Sequence, residues 1–260
     1  MNKPLLHWTR EGQGPVVVLS HALGCEISMW DGVAAALSPR YTVLRYDHRG
    51  HGQSQAPHGP YSVDMLADDA ADLIRAQGQD AVHFVGLSLG GMTAQALAAR
   101  HPELLKSITI ANAASYYDAA ARTMWQARIE IVLAKGVAAI ADGALQRWFT
   151  PEFRADEVGG GAARVAALRA RLEASDAPAY AASCAAVAAI DFRASNPLIR
   201  CPTLVIAGTL DEATPPALSE QIAASIAGAR LRTLPAAHLS AVEQPQAFAA
   251  LLEDFFAGLK

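Results

Sequence analysis

Short apolar runs recur along the chain with helical patterns between them, and no other feature narrows the possible folds so far. The runs are PVVVLS (15–20), YTVLRYD (41–47), AVHFVGLS (81–88), LKSITIANA (105–113) and PTLVIAG (202–208), mostly rich in β-branched residues and bounded by Gly, Pro or Asp. Runs of this kind read as strands buried on both faces, as in a parallel sheet. LLHWTR near the start and RLRTLP (230–235) read as further strands, while 62–77, 90–100, 215–227 and 245–257 have the length and spacing of helices. Alternation of this sort predicts an α/β chain with a mostly parallel central sheet flanked by helices.

One region departs from the alternation. From about Tyr116 to Ser195 only helical patterns occur, among them ARTMWQARIEIVLAKG and AARVAALRARLEA, separated by TPEF and VGGGAA. The expected organisation is therefore a core of residues 1–115 and 196–260 with an all-helical cap at 116–195. The triple glycine at 159–161 has no Lys-Ser/Thr after it, so it is read as a flexible linker and not as a phosphate loop.

Composition sets limits on partners. Of 260 residues, 52% are hydrophobic and 18% charged, the balance of a globular chain. A formal charge of −4 leaves no basic surplus for nucleic acid, and it means an anionic substrate would need a local positive pocket. The start, MNKPLLHWTREGQGP, lacks the apolar core of a signal peptide, and no apolar run has the length of a membrane span. Cys25, Cys184 and Cys201 are odd in number and widely spaced, as expected for reduced thiols of a cytoplasmic protein without membrane partners. Oligomeric state is not legible.

The chemistry gathers where strands end. Gly86-Leu87-Ser88-Leu89-Gly90 is a G-x-S-x-G pentapeptide with a strand signal before it and a helix signal after it. In that context a sharp turn lifts the serine hydroxyl above the sheet and toward the helix amides, and the flanking glycines relieve the crowding. A nucleophilic serine needs a base and an orienting acid. His238, in LPAAHLSAVEQP, follows the last strand signal, and Asp211, in TLDEATPP, follows another, with Glu212 as the rival acid. The order Ser88, Asp211, His238 is that of nucleophile-elbow enzymes. HALG (21–24) lies just past a strand, so the backbone N–H groups of Leu23 and Leu89 are the expected oxyanion donors, and His21 is given a structural role. Asp47, His48 and His51 in RYDHRGHGQS lack the helical spacing of a zinc motif and read as turn structure, with no metal expected.

In this order, HALG, YDHRGHGQS, GLSLGG, GTLDEATPP and AAHLS resemble the α/β-hydrolase superfamily over essentially the whole chain. Within it the chain resembles the 3-oxoadipate enol-lactonases through LRYDHRGHGQSQAPHGPYSVDMLADD, MWQARIEIV, GALQRWFTPEF, YAASCAAVAAIDFR and GTLDEATPP with AAHLSAVEQPQAF. It departs at His21 and Ala22, where the lactonases often carry a small polar pair. The resemblance implies the α/β-hydrolase fold and hydrolysis of a small anionic lactone to 3-oxoadipate, a step of the β-ketoadipate pathway of aromatic catabolism, with no cofactor. Ser88 would then be nucleophile, His238 base, Asp211 its orienting acid, and Leu23 and Leu89 the oxyanion donors. Such a lactone carries a carboxylate, and Trp125 and Arg128, three apart on one helix face of the cap, are the candidates to wall and bind it. A carboxylesterase or a carbon–carbon bond hydrolase of the same fold, or a non-catalytic ligand-binding protein, remain the alternatives.

Overall fold

The computed structural model describes residues 4–259, so Met1–Lys3 of the N-terminal stretch read above lie outside it. β1 (Trp8–Glu11) and β2 (Val16–Ser20) precede α1 (Asp31–Leu37), and β3 (Thr42–Tyr46) precedes α2 (Val63–Ala76). β4 (Val82–Leu87), α3 (Leu89–Arg100) and β5 (Leu105–Ala111) follow. Next come the helices α4 (Ala119–Lys135), α5 (Ala138–Trp148), α6 (Pro151–Ala155), α7 (Gly161–Glu173) and α8 (Ala177–Ala188). The alternation resumes with β6 (Thr203–Gly208), α9 (Pro216–Ser225), β7 (Arg230–Leu234), the single-turn α10 (Ser240–Glu243) and α11 (Pro245–Ala257). This is the α/β-hydrolase fold.

The sheet runs β1-β3-β2-β4-β5-β6-β7, with β1 antiparallel to β3 and the other pairings parallel. β2, β4 and β6 are buried along their whole length, which is why their sequences read as unbroken apolar runs. The direction of travel reverses between β2 and β4. From β2 the chain moves outward to β3, then returns past β2 to β4 and continues to β5. Right-handed crossovers therefore put α1 on one face and α2 and α3 on the other, leaving a crevice at the carboxyl ends of β2 and β4.

Local signals account for the helix ends. Ser62 caps α2 by accepting from the Met65 amide at 3.2 Å, and Asp118 caps α4 by accepting from the Ala121 amide at 2.8 Å. α1 falls outside the stretches read as helical because it is short and is preceded at the N-cap by Trp30, which supplies no side-chain cap. Two readings change in the helical region. TPEF is not a separator: Thr150 caps α6, with Pro151 at its first turn. The triple glycine is not a flexible linker either. Asp156 accepts from the Gly159 amide at 2.7 Å, Gly160 takes φ +82°, and Gly161 opens α7.

Entry to and exit from the helical segment meet at its base. Tyr116 pairs with Asp191, the Phe192 amide donates to the Ser115 carbonyl at 2.8 Å, and the Arg193 guanidinium lies 3.7 Å over the Tyr116 ring. The three cysteines are free, and no helix among the described residues is long and apolar enough to cross a membrane.

Beneath the crevice, His21, His48 and His51 form a buried cluster, with the His21 ring centroid 4.6 Å from that of His48 and 5.1 Å from that of His51. The His21 Nδ1–H donates to the Ala22 carbonyl at 2.8 Å, while Nε2 accepts from the His48 amide at 2.9 Å. Both nitrogens are engaged in shaping the turn after β2. Asp47 likewise organises its own loop, accepting from the Ile27 and Gln53 amides and from His7. Burial, and then the neighbouring His21, lowers the His51 pKa to about 3, and burial holds His48 well below the ordinary histidine value.

A folded-state histidine pKa below that of the unfolded chain leaves stability intact above about pH 6.5 and removes it as pH falls from there toward about 3. His51→Asn keeps a donor for the Arg49 carbonyl but removes the titrating ring. Between pH 6.5 and 5 the variant should lose less stability than the parent by about 2 kcal/mol, read from urea midpoints. Equal losses would show that His51 does not titrate on unfolding.

Candidate active site

Ser88 stands between β4 and α3 with φ 56° and ψ −111°, a left-handed backbone that a non-glycine residue adopts only under constraint. Two backbone bonds hold it there. Its amide donates to the Ala111 carbonyl at 2.9 Å, and its carbonyl accepts from the Met92 amide at 2.9 Å. The flanking glycines answer to crowding: a methyl group on Gly86 would run into the Gly90 carbonyl, and one on Gly90 into the Ser20 carbonyl at the end of β2. The serine thus sits at the positive end of α3 with its side chain on a cavity.

His238 follows β7 and faces the same cavity. Its Nδ1–H donates to Asp211 Oδ2 at 2.9 Å, a tautomer that leaves the free lone pair on Nε2. Asp211 is buried beyond β6, whereas Glu212 beside it is exposed, so the acid that meets the imidazole is Asp211. Oδ2 also accepts from the Thr214 hydroxyl at 2.7 Å and from Asn112 Nδ2 at 2.9 Å, and Oδ1 accepts from the Ala213 and Thr214 amides. Burial by itself would raise the Asp211 pKa. The His238 charge and these donated bonds outweigh it and hold the carboxyl below its usual range.

The third component lies after β2. Cys25 donates to the Ala22 carbonyl at 3.1 Å, closing a turn whose third residue, Gly24, takes φ +73° as only glycine does readily. Leu23 lies inside this turn and on the cavity wall, and Leu89 heads α3, where amides have no intrahelical acceptor. A methyl group on Gly24 would also press on Leu172, Tyr180 and Trp148, so the glycine lets the helical segment sit directly on the turn.

The cavity, of about 550 Å³, lies between the sheet edge and that segment. Trp125 and Arg128 of α4 both line it, with the Arg128 guanidinium 5.2 Å over the Trp125 ring and Nη1 donating to the buried Tyr180 hydroxyl at 3.4 Å. The Trp125 ring meets the Tyr117 ring edge-on, with centroids 6.0 Å apart. A hydroxyl at a helix N-terminus, an imidazole oriented by a carboxylate and two candidate amide donors make the equipment of nucleophilic acyl transfer.

Several contributors were not read from the sequence. Asn112 follows the end of β5 at φ 47°, its side-chain amide donating to Asp211 while its Oδ1 accepts from the Ser240 hydroxyl at 2.6 Å. The only signal for it was a polar residue closing a buried run, as in SITIANA. Glu243 accepts from the Ala237 amide at 2.8 Å and also binds the Thr150 amide, tying the His238 loop to the helical segment. Arg147 of α5 lines the cavity as well.

The chain matches the family described as alpha/beta hydrolase fold over residues 15–245. It is 38% identical over 247 residues to 3-oxoadipate enol-lactonase 2 of Acinetobacter baylyi, covering 94% of this chain and 90% of that protein. It is 31% identical to a protein of Stutzerimonas stutzeri assigned as the carbamate hydrolase RutD, over 97% of this chain and 95% of that one. The crystal structure of the enol-lactonase from Burkholderia xenovorans LB400 superposes with a TM-score of 0.93 at 38% identity, covering 98% of each chain.

Asn112 couples backbone conformation to the Asp211 bond, and the two effects separate by substitution. Asn112→Ala and Asn112→Gly both delete the amide, but only alanine retains the left-handed cost of about 1 kcal/mol. Asn112→Gly should therefore unfold roughly 2–4 °C above Asn112→Ala by calorimetry. Coincident melting would remove backbone strain from the account of this residue.

Proposed function

The chain belongs to the alpha/beta hydrolase fold family and is a hydrolase acting on ester bonds, and from that premise we propose that it opens the ring of 3-oxoadipate enol-lactone to give 3-oxoadipate. The observation that carries the reading is Arg128, a half-buried guanidinium on the same cavity as Ser88 and His238, suited to the carboxylate arm of such a lactone. Relatives named for this activity support it.

In the proposed mechanism Ser88 Oγ attacks the lactone carbonyl carbon as His238 Nε2 takes its proton. The tetrahedral oxyanion is held by the Leu23 and Leu89 N–H groups. Collapse breaks the ring C–O bond, and the departing enolate takes the proton from His238 and ketonises. Asp211, kept ionised by its donors, stabilises the imidazolium in between. Water, deprotonated by His238, then attacks the acyl-serine ester and frees the second carboxylate while Ser88 regains its proton. Residues 116–195 act as the cap, with Trp125 walling the ring and Arg128 binding the carboxylate.

Loss of enol-lactone absorbance with purified protein tests the reading. Rapid loss with the parent chain and a fall of about 10⁴–10⁶-fold in Ser88→Ala are expected. No turnover of the lactone, with turnover of neutral esters or carbamates, would move the substrate elsewhere in the family. Arg128→Ala should raise KM for the lactone by about 10–100-fold, from the loss of a charge-assisted bond, and far more than for a neutral ester. Equal effects on the two would remove Arg128 from substrate binding.

A further inference from the structure

Two arginines line the cavity, from two different helices. Arg128 comes from α4, and Arg147 from the last turn of α5. Three other half-buried arginines meet carboxylates: Arg45 meets Glu11 and Asp31, Arg49 meets Asp69, and Arg169 meets Asp142 and Glu173. Arg154, outside the cavity, is not ion-paired among the described residues. Among the described residues neither cavity arginine forms an ion pair. Arg128 has the Tyr180 hydroxyl and the Trp125 ring, and Arg147 Nε donates to the Gly143 carbonyl one turn back at 3.2 Å. Burial, and then the Arg128 charge, works against the positive charge on Arg147, while the exposed Glu212 works for it.

Like charges facing one half-enclosed cavity repel unless an anion lies between them. Glu212 acts on Arg147 from outside the cavity, but no carboxylate is among the residues that line it. With a formal charge of −4 the chain does not attract anionic ligands from a distance. The position of Arg147 is also fixed relative to the reaction centre. The carbonyl of the next residue, Trp148, accepts from the Leu239 amide at 3.0 Å, so the end of α5 is bonded to the loop that carries His238.

We propose that Arg147 is a second ligand for the substrate's carboxylate, and that with Arg128 it forms a two-guanidinium site selecting carboxylate-bearing esters and lactones over neutral ones. The inference deepens the reading of Arg128 given above and rests on its assignment of an anionic substrate. A carboxylate has two oxygens and can accept from two guanidinium groups at once. Shared binding would neutralise the repulsion and orient the acyl group toward Ser88 from both sides of the cavity.

The test uses the full chain and two chromogenic esters of equal length, mono-p-nitrophenyl adipate, which carries a carboxylate, and p-nitrophenyl hexanoate, which does not. The readout is the ratio of kcat/KM for the anionic over the neutral ester. Arg147→Gln should lower the ratio about 10-fold, mainly through KM for the anionic ester, and Arg147→Lys should restore part of it. Arg164→Gln, which removes the same charge from an exposed position on α7, should leave the ratio unchanged. Added salt should narrow the gap between the parent and Arg147→Gln. If Arg147→Gln does not fold, Arg147→Met, which keeps the aliphatic stem, gives the same reading. A ratio in a folded Arg147 variant equal to that of Arg164→Gln overturns the proposal. Turnover of the enol-lactone in parallel separates the two inferences. A falling ester ratio without lactone turnover leaves the anion site standing and the substrate reading fallen; lactone turnover with an unmoved ratio does the reverse.

Discussion

The close approach of β2, β4 and the start of α3 is the constraint on which the site depends. Ser88 is held in a left-handed conformation by the Ala111 carbonyl behind it and by the first turn of α3 ahead. The turn is tight enough that Gly86 and Gly90 have no room for a methyl group against the Gly90 and Ser20 carbonyls. Because Ser20 ends β2, the same packing fixes the turn that follows, where Leu23 and Gly24 lie. The proposed nucleophile and both proposed oxyanion donors are thereby set relative to one another by backbone contacts, before any flexible side chain is involved.

The other half of the site hangs from β5, β6 and β7 through polar bonds. Asp211 collects donors from His238, Thr214, Ala213 and Asn112, and Asn112 is itself fixed by Ser240. Glu243 carries this order outward, since its carboxylate bonds both the Ala237 amide and the Thr150 amide of the helical segment. The walls that would select a substrate are therefore bonded to the loop that would deliver the base. Their chemistry is mixed: apolar along much of α4 and cationic where Arg128 and Arg147 line the cavity, while below it burial disfavours charge on the His21, His48 and His51 rings.

Much of the fold was legible in the sequence for a plain reason. Strands buried on both faces cannot alternate, so β2, β4 and β6 announce themselves as apolar runs, and a sharp strand-to-helix turn leaves its glycines in place. Asp211 and His238 were legible by position, each just beyond a strand signal. The short α1, the capped turn at Gly159–Gly161 and the helix in TPEF were not, because each depends on one or two side-chain-to-backbone bonds that carry no periodicity.

By itself the sequence determined the α/β alternation, the helical segment between β5 and β6, and the residue types of the candidate triad, since these follow from local pattern and order along the chain. The tertiary structure supplied the physical reason that Asp211 meets His238 and its neighbour Glu212 does not, namely burial. Only it brought Asn112 to Asp211 across 99 positions, and Arg147 to the cavity that Arg128 also lines. Those meetings depend on how the sheet edge and the helical segment close on each other, and distance along the chain carries no record of that.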